Sequence, residues 1–347
     1  MTTYFIALDT HCTTTDLAAV TATGKTVKKL RCPTKIPDLI DAVTSLSGKR
    51  RLTFEEGPLA DWLMRKLRPH VDELIVCDPR RNALIAKESD KDDAIDALKL
   101  VQLFRGGFVK PVHHPETFER AVFKRHVGLY HGLVRDRVRS ANHIIAQFRH
   151  QGIMLHESQF ADQAKRPALL QKLPTSKLLR FDFKHLWSVY DAAVECETAI
   201  RNELIRQARR IEPIRRFIDL PGVFWIRAAT FYACIDTPWR FPGKSSLWKY
   251  MGIGIERRQS GQGRERLRIV PQCNHPLKAM ILGAATTAIA CGNNPFAAQY
   301  ERWSSGGMSP PNARRNVARS MASTLWGMWK NSTAYDPALV GTNGRRA

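Results

Sequence analysis

The sequence predicts an α/β domain at the start of the chain, followed by a long helical region and a second, mostly helical domain. Apolar runs of strand length alternate with amphipathic segments as far as residue 110. Helical periodicity then dominates residues 115–211, and residues 212–330 combine short helical segments with Pro-Gly and Gly-rich turns. With 347 residues the chain is long enough for two or three domains, each with its own core.

Residues 1–110 are predicted to form a mixed sheet with helices on both faces. Strands are expected at 3–9, 15–22, 26–31, 51–55 and 74–77. Helices are expected at 37–47, 58–67, 79–86 and 92–105, the second of them opened by a proline. This order, βββαβαβαα with an antiparallel meander first, is that of a ribonuclease H-like domain.

Residues 115–211 are predicted to form two long helices folded against each other, as a dimerising coiled coil or a spacer. Apolar positions such as Val122, Leu129 and Val138 alternate with arginines, and the pattern is broken between 151 and 175. After a third region at 212–330, the Gly- and Asn-containing tail at 331–347 is predicted to be disordered.

Positive charge is the strongest signal in the composition. There are 54 Lys+Arg against 32 Asp+Glu, a formal net charge of +22. Residues 201–347 contain 23 basic and 8 acidic side chains, so +15 of that excess lies in the last two fifths of the chain. This concentration favours a nucleic-acid phosphate backbone as the partner. A membrane partner is not expected, because the sequence has no long apolar helix and no lipidation signal.

The seven cysteines are scattered and never form a C-x-x-C pair. This argues against a zinc ribbon and against a disulfide framework. The first residues lead straight into a strand pattern without a secretory leader, so a reducing cytoplasm is the expected compartment.

Four acidic side chains are candidates for one divalent-metal site: Asp9, Glu55, Asp93 and Asp96. Asp9 and Glu55 each end an apolar strand, whereas Asp93 and Asp96 are three residues apart and share a helix face. Carboxylate oxygens suit Mg²⁺, and Mg²⁺ suits phosphodiester chemistry. The four acids therefore predict a magnesium site that acts on a polyanion.

Two of these assignments have neighbouring competitors. Glu56 competes with Glu55, and strand alternation favours Glu55 because Phe54 then faces the core. Asp90 or Asp92 competes with Asp93, and Asp92 could instead cap the helix that starts there.

Two segments of the basic region are candidate nucleic-acid contacts. Leu-Pro-Gly-Val at 220–223 separates two helical segments and resembles the turn of a helix-hairpin-helix, in which the backbone N–H of Gly222 could contact a DNA phosphate. Further on, Ser260 lies in a Gly-rich loop among five arginines, Arg257, Arg258, Arg264, Arg266 and Arg268. Such a cluster would bind a scissile phosphate, and it leaves open whether the serine is a nucleophile or only part of a phosphate-binding loop.

Over about residues 3–330 these motifs resemble the insertion sequence 110 family of transposases. The four acids, in Ile-Ala-Leu-Asp-Thr, Phe-Glu-Glu-Gly and Lys-Asp-Asp-Ala-Ile-Asp-Ala, match the family's four acids one by one. Leu-Pro-Gly-Val at 220–223, Met-Gly-Ile at 251–253, Arg-Arg-Gln-Ser-Gly at 257–261 and His275 match its C-terminal domain in order. Three positions depart from the family pattern: Glu56, Asp92 in place of a threonine, and Phe224 in place of a second glycine.

The resemblance implies a RuvC-like DEDD domain and a recombinase guided by a bridge RNA. It implies that the four acids hold Mg²⁺ against the scissile phosphate and that Ser260 forms a covalent phosphoserine link. A freed 3′ hydroxyl would then attack the link on the partner strand of double-stranded donor or target DNA. It also implies a homodimer or homotetramer whose active site is assembled between protomers. Two alternatives stay open: a RuvC-like nuclease in which water attacks, and a non-catalytic nucleic-acid-binding protein.

Overall fold

The computed structural model describes residues 1–80, 93–258 and 266–340, with the backbone alone at 93–94, 257–258 and 266–267. The chain divides into two compact units, Met1–Pro115 and Glu116–Ala347. Most of the helix predicted at 79–86 therefore lies outside the described residues.

The first unit contains a five-stranded mixed sheet, as the sequence predicted. Its strands are β1 (Thr3–Thr10), β2 (Thr14–Thr21), β3 (Thr26–Pro33), β4 (Lys49–Glu55) and β5 (Glu73–Cys77). The spatial order is β3-β2-β1-β4-β5. The first three strands form the antiparallel meander, whereas β1, β4 and β5 run parallel. The parallel strands therefore end at one edge of the sheet, called the carboxyl edge below.

Strand alternation gives this sheet two buried faces. Its helices are α1 (Ile36–Thr44), α2 (Ala60–Leu67) and α3 (Asp93–Arg105). Ile6 and Phe54 pack in one core with residues of α1 and α2, whereas Phe5 and Ala7 pack in another with residues of α3. Because side chains alternate along each strand, neighbouring residues of β1 serve different cores. A mixed sheet covered on both faces is thus the observed layout.

Helix α3 runs antiparallel to β1. Near its end, Gln102 Nε2 donates to the Gly24 carbonyl at 3.2 Å and Arg105 Nη1 to the Ala22 carbonyl at 3.3 Å. Both carbonyls lie in the turn between β2 and β3, at the edge where β1 begins. The Phe5 and Phe104 rings, 5.6 Å apart, meet on the same side. The first turn of α3 therefore lies toward the opposite, carboxyl edge.

The second unit is mostly helical and contains one small hairpin. Its helices are α4 (Phe118–His150), α5 (Arg166–Leu170), α6 (Lys177–Ala208), α7 (Glu212–Phe217), α8 (Trp225–Ile235), α9 (Lys244–Tyr250), α10 (His275–Cys291), α11 (Pro295–Ser305) and α12 (Pro310–Asn331). The hairpin strands are β6 (Ile255–Arg258) and β7 (Arg266–Ile269). In the described ranges, no helix has the length and apolar character needed to cross a membrane.

The two long helices expected from the sequence are α4 and α6, which pack along each other. At one end they enclose a small core with the segment that connects them, including Phe148, Phe160 and Trp187. At the other end Val127 and Leu204 join the large core of the C-terminal helices. Both long helices also pack on α8. The helical region predicted at 115–211 and the region predicted at 212–330 therefore share one core.

The structure describes the first part of the tail that was predicted to be disordered, residues 331–340. After α12 the chain folds back, Tyr335 stacks on Phe296 with ring centroids 6.4 Å apart, and Val340 packs against the large core. Both contacts bury apolar surface of the tail. Residues 341–347 lie outside the described part of the chain.

Candidate functional site

Asp9 and Glu55 end neighbouring parallel strands. Leu8 of β1 pairs with Phe54 of β4, so the next residue of each strand is the acid. Asp9 shares a face with Ala7, which packs in the α3 core. The Arg51 guanidinium lies 4.9 Å from the Phe5 ring centroid on this same side, and alternation places Glu55 there too. The structure thus brings Asp9 and Glu55 to one edge and one face of the sheet.

The first turn of α3 lies toward the same edge. The helix has 13 residues and so spans about 20 Å, comparable with the roughly 17 Å that β1 rises from Tyr4 to Asp9. Since its last turn packs where β1 begins, its first turn reaches the level of Asp9. Asp96 is half-buried there, and the side chain of Asp93 lies outside the described set, as do Asp90 and Asp92.

The described acids do not form a complete metal cluster. Among the described side chains, no group of three or more His, Cys, Asp or Glu lies close enough to hold an ion. Asp16, directly across from Asp9 in the sheet, is buried and paired with Arg31 at 2.9 Å. The observed arrangement is therefore two strand-end carboxylates with the α3 turn at the same edge.

Glu56, the competitor of Glu55, has a different environment. Its backbone N–H donates to the Cys77 carbonyl at 2.8 Å, and its carboxylate lies 2.6 Å from Nε2 of His114. A second imidazole, that of His11, lies 3.7 Å from the Asp9 carboxylate. The sequence reasoning did not single out these histidines, although His11 is two residues from Asp9 and could have been found from that spacing.

The hairpin of β6 and β7 flanks the predicted serine loop. Its innermost pair is Arg258 with Arg266, so residues 259–265 connect the two strands. Ser260 and Arg264 lie outside the described residues, as do the side chains of Arg257, Arg258 and Arg266. Arg268 is described and exposed, directly across from Glu256. The nucleophile prediction therefore stays a prediction.

The Pro-Gly turn lies between α7 and α8, as expected, but Gly222 is buried rather than exposed to a phosphate. With φ at +78°, it packs against α10 so closely that a Cβ would lie 2.3 Å from the Ala284 carbonyl oxygen. Its own carbonyl accepts a 2.6 Å hydrogen bond from Arg227. Close helix packing therefore accounts for a glycine at this position, and its predicted phosphate contact stays a prediction.

His275 begins α10, close in sequence to the hairpin. Asn274 caps the helix by accepting from the Leu277 N–H at 3.0 Å, and its amide donates to the Tyr250 hydroxyl at 3.1 Å. Gly252 has φ at +68°, and a Cβ there would lie 2.5 Å from the Cys273 sulfur. These contacts join the Met-Gly-Ile segment to the start of α10, and His275 itself remains exposed.

One comparison with known proteins bears on this region. Residues 214–301 match the family model described as Transposase IS116/IS110/IS902 family. No curated protein matches the chain. The matched stretch includes the Pro-Gly turn, the hairpin strands and His275, which are the C-terminal part of the sequence resemblance, and it does not include the four acids. Residues 214–301 thus have the sequence character of IS110-type transposases, which supports a transposase function on DNA.

Proposed function

We propose that this protein is a DNA transposase that moves an insertion sequence by cutting and exchanging DNA strands. The observation that carries the proposal is the family match at residues 214–301, which spans the hairpin flanking Ser260. The charge of the chain agrees with it, because +22 at neutral pH favours a polyanionic partner such as double-stranded donor and target DNA.

In this proposal Asp9, Glu55, Asp93 and Asp96 of a RuvC-like domain hold Mg²⁺. Their carboxylate oxygens are the hard donors that Mg²⁺ prefers, and such an ion stabilises negative charge on a phosphate. Asp9 and Glu55 lie on neighbouring strand ends, and α3 presents its first turn at the same edge. Carboxylates repel one another without a cation, and a bound Mg²⁺ would offset that repulsion.

The proposed nucleophile is the Ser260 hydroxyl. Its Oγ attacks the scissile phosphorus, a serine–phosphate bond forms, and the bond from phosphorus to the 3′ oxygen breaks. The serine proton is released to solvent, and the departing 3′ oxygen takes up a proton to become a hydroxyl. The arginines of the hairpin, including Arg268, neutralise the charge that develops. Attack by another strand's 3′ hydroxyl reverses these bond changes and joins the exchanged strands.

The proposed assembly is a homodimer or homotetramer guided by a structured bridge RNA. The arginines on α4, from Arg125 to Arg149, offer additional phosphate contacts for such an RNA. Water-mediated cleavage by a RuvC-like nuclease is the alternative that the experiment must separate from this mechanism.

The test uses DNA labelled at the 3′ end of the cleaved strand, because a 5′-phosphoserine link then carries the label into the protein band. Full-length protein is incubated with Mg²⁺, this DNA and RNA transcribed from the sequence flanking the gene. A denaturing gel should show a labelled protein–DNA adduct for the wild type and none for Ser260→Ala. Ser305→Ala is the matched control, since Ser305 is exposed and outside the matched stretch. Equal cleavage by Ser260→Ala without an adduct would replace the recombinase by the nuclease.

A further inference from the structure

Two arginines one turn apart on α12 have no acidic partner in the part of the chain that the structure describes. Arg319 donates from Nε to the Ile253 carbonyl and from Nη1 to Asn316, both at 2.7 Å. Arg315 donates to Asn312 at 2.9 Å. Among the described residues, no carboxylate forms an ion pair with either guanidinium, although both are partly buried. Two like charges are thus held side by side with only neutral acceptors, an arrangement that an incoming anion would stabilise.

The electrostatic environment of Arg319 agrees with this geometry. Burial, with the neighbouring charge of Arg315 as a smaller cause, lowers the pKa of the Arg319 guanidinium. Because an arginine stays protonated in proteins, the fold tolerates a charge here that it does not neutralise.

These arginines lie in a groove formed by two cavities that share Asn316 and Arg319. One cavity, of about 690 Å³, is lined by Arg268 and Ile269 of β7 and by Arg315. The other, of about 580 Å³, has an aromatic and basic lining that includes Lys244, Trp248, Arg302 and Trp303. Asp336 is an acidic residue in this second lining, where it caps Ala338 at 2.9 Å. We call the two cavities together the α12 groove.

We propose that the α12 groove binds an unpaired strand of nucleic acid, with phosphates on Arg315, Arg319 and Arg268 and a base beside Trp248 and Trp303. Each cavity has the volume of a small-ligand site, which fits single nucleotides and is too small for a duplex. Arginines alternating with aromatic rings are the combination that tracks a single strand, since every base has a face that can stack.

The proposal rests on the proposed transposase function and extends it to a part of the chain that the family match does not cover. All of α12 follows residue 301, where the match ends. The groove borders β7, one of the two strands that flank the serine loop. A strand bound in the groove would therefore pass the base of that hairpin, where strand exchange requires unpaired nucleic acid.

The test is equilibrium binding of fluorescent oligonucleotides to the full-length protein in EDTA, which prevents cleavage. The probes are a single-stranded DNA of about 12 nucleotides, the RNA of the same sequence and the corresponding DNA duplex. Arg315→Ala should weaken single-strand binding by about tenfold and reduce the salt slope by about one. Arg314→Ala is the matched control, since it removes the same charge from the same helix but borders neither cavity.

Arg268→Ala, on the opposite wall, should weaken the same probes, so the test does not depend on Arg315→Ala folding. Comparison of the two single-stranded probes decides whether the occupant is DNA or RNA. If Arg314→Ala and Arg315→Ala weaken single-strand binding equally, or if Arg315→Ala weakens duplex binding as much as single-strand binding, the groove is not the binding site. Diffuse surface charge would then account for the binding. Ser260→Ala keeps the two proposals separate: it should abolish the covalent adduct and leave oligonucleotide binding unchanged.

Discussion

The two units position their charged side chains by different means. In the first unit, the register of parallel strands brings Asp9 and Glu55 together, because Leu8 pairs with Phe54 one residue earlier. In the second, helix packing places Arg315 and Arg319 of α12 in the lining of one cavity with Arg268 of the hairpin. One arrangement is fixed by backbone hydrogen bonds and the other by how closely side chains and helices approach.

This difference has consequences for tolerance to substitution. A strand-end carboxylate can be exchanged for its amide without altering the sheet, since the ladder uses only backbone groups. In the helical unit, helix packing includes close contacts such as Gly222 against α10, where an added side-chain atom would meet backbone. Substitutions in the first unit should therefore separate activity from stability more cleanly than those in the second.

Glu55→Gln provides the largest expected effect and the sharpest test of strand register. Loss of one preorganised charge should lower Mg²⁺-dependent cleavage by on the order of a thousandfold, with little change in the unfolding midpoint. Glu56→Gln is the matched variant one residue away, where the carboxylate pairs with His114 and not with the strand-end site. If Glu56→Gln loses activity and Glu55→Gln retains it, the register of β1 and β4 does not determine which glutamate binds Mg²⁺. Labelled-DNA cleavage measures both.

Gly222→Ala should produce the largest loss of stability. Its Cβ would lie 2.3 Å from one backbone atom of α10 and 2.9 Å from another, so helices must separate in addition to the strain at positive φ. We expect the free energy of unfolding to fall by about 4 kcal/mol. Gly152→Ala measures the cost of positive φ alone, because Gly152 also has positive φ but an added Cβ would have no heavy atom within 4 Å. This variant should lose about 1 kcal/mol of unfolding free energy. Equal losses in denaturant unfolding would contradict the packing account.

The sequence predicted the first unit more completely than the second. Alternation in Phe5 to Leu8 and in Leu52 to Phe54 directly encodes strands with two buried faces, so the five strands and the strand-end acids could be read locally. The direction of α3, which decides which of its ends lies near Asp9, follows from contacts with the turn between β2 and β3. That turn is distant from α3 in the sequence. Such a direction has no local signature.

In the second unit, local signals identified helices but not their partners. The Pro-Gly turn was found, yet the burial of Gly222 required knowledge that α10 lies against it. Arg315 and Arg319 are four apart on α12 like many solvated pairs, and the cavity that they line together with Arg268 and Ile269 of the hairpin is visible only in the folded chain. Tyr335 similarly lies in a polar tail and is ordered by Phe296.

Asp191→Asn tests how much a buried ion pair between α5, in the connecting segment, and α6 contributes to stability. The Asp191 carboxylate accepts from both terminal nitrogens of Arg166, at 2.5 and 2.7 Å, and Arg166 is 7% exposed. Removing the charge leaves a buried guanidinium without its counterion, at a cost of about 3 kcal/mol. Glu203→Gln is the contrasting change, because Glu203 and Arg206 form an exposed pair one turn apart in α6. It should leave the unfolding midpoint unchanged, and similar midpoints for both variants would contradict the role assigned to burial.

The smallest expected effect is a pH dependence of stability in the second unit, from His131 of α4. Its Nε2 lies 2.9 Å from the Thr230 hydroxyl, which itself donates to the Ile226 carbonyl and so accepts from the imidazole. Burial, and to a lesser degree the charge of Arg135, lowers the pKa of His131 below 6.5 in the folded protein. The unfolded state therefore binds the proton more readily, and stability falls as pH decreases through 6.5 toward the folded pKa. Above that range His131 is neutral in both the folded and the unfolded state, and its contribution to stability is constant.

His131→Gln keeps a hydrogen-bond donor without titrating. In denaturant unfolding from about pH 8 to about pH 5, the stability of this variant should therefore decline less steeply than that of the wild type. Parallel declines would mean that the titration of His131 does not differ between the folded and unfolded states.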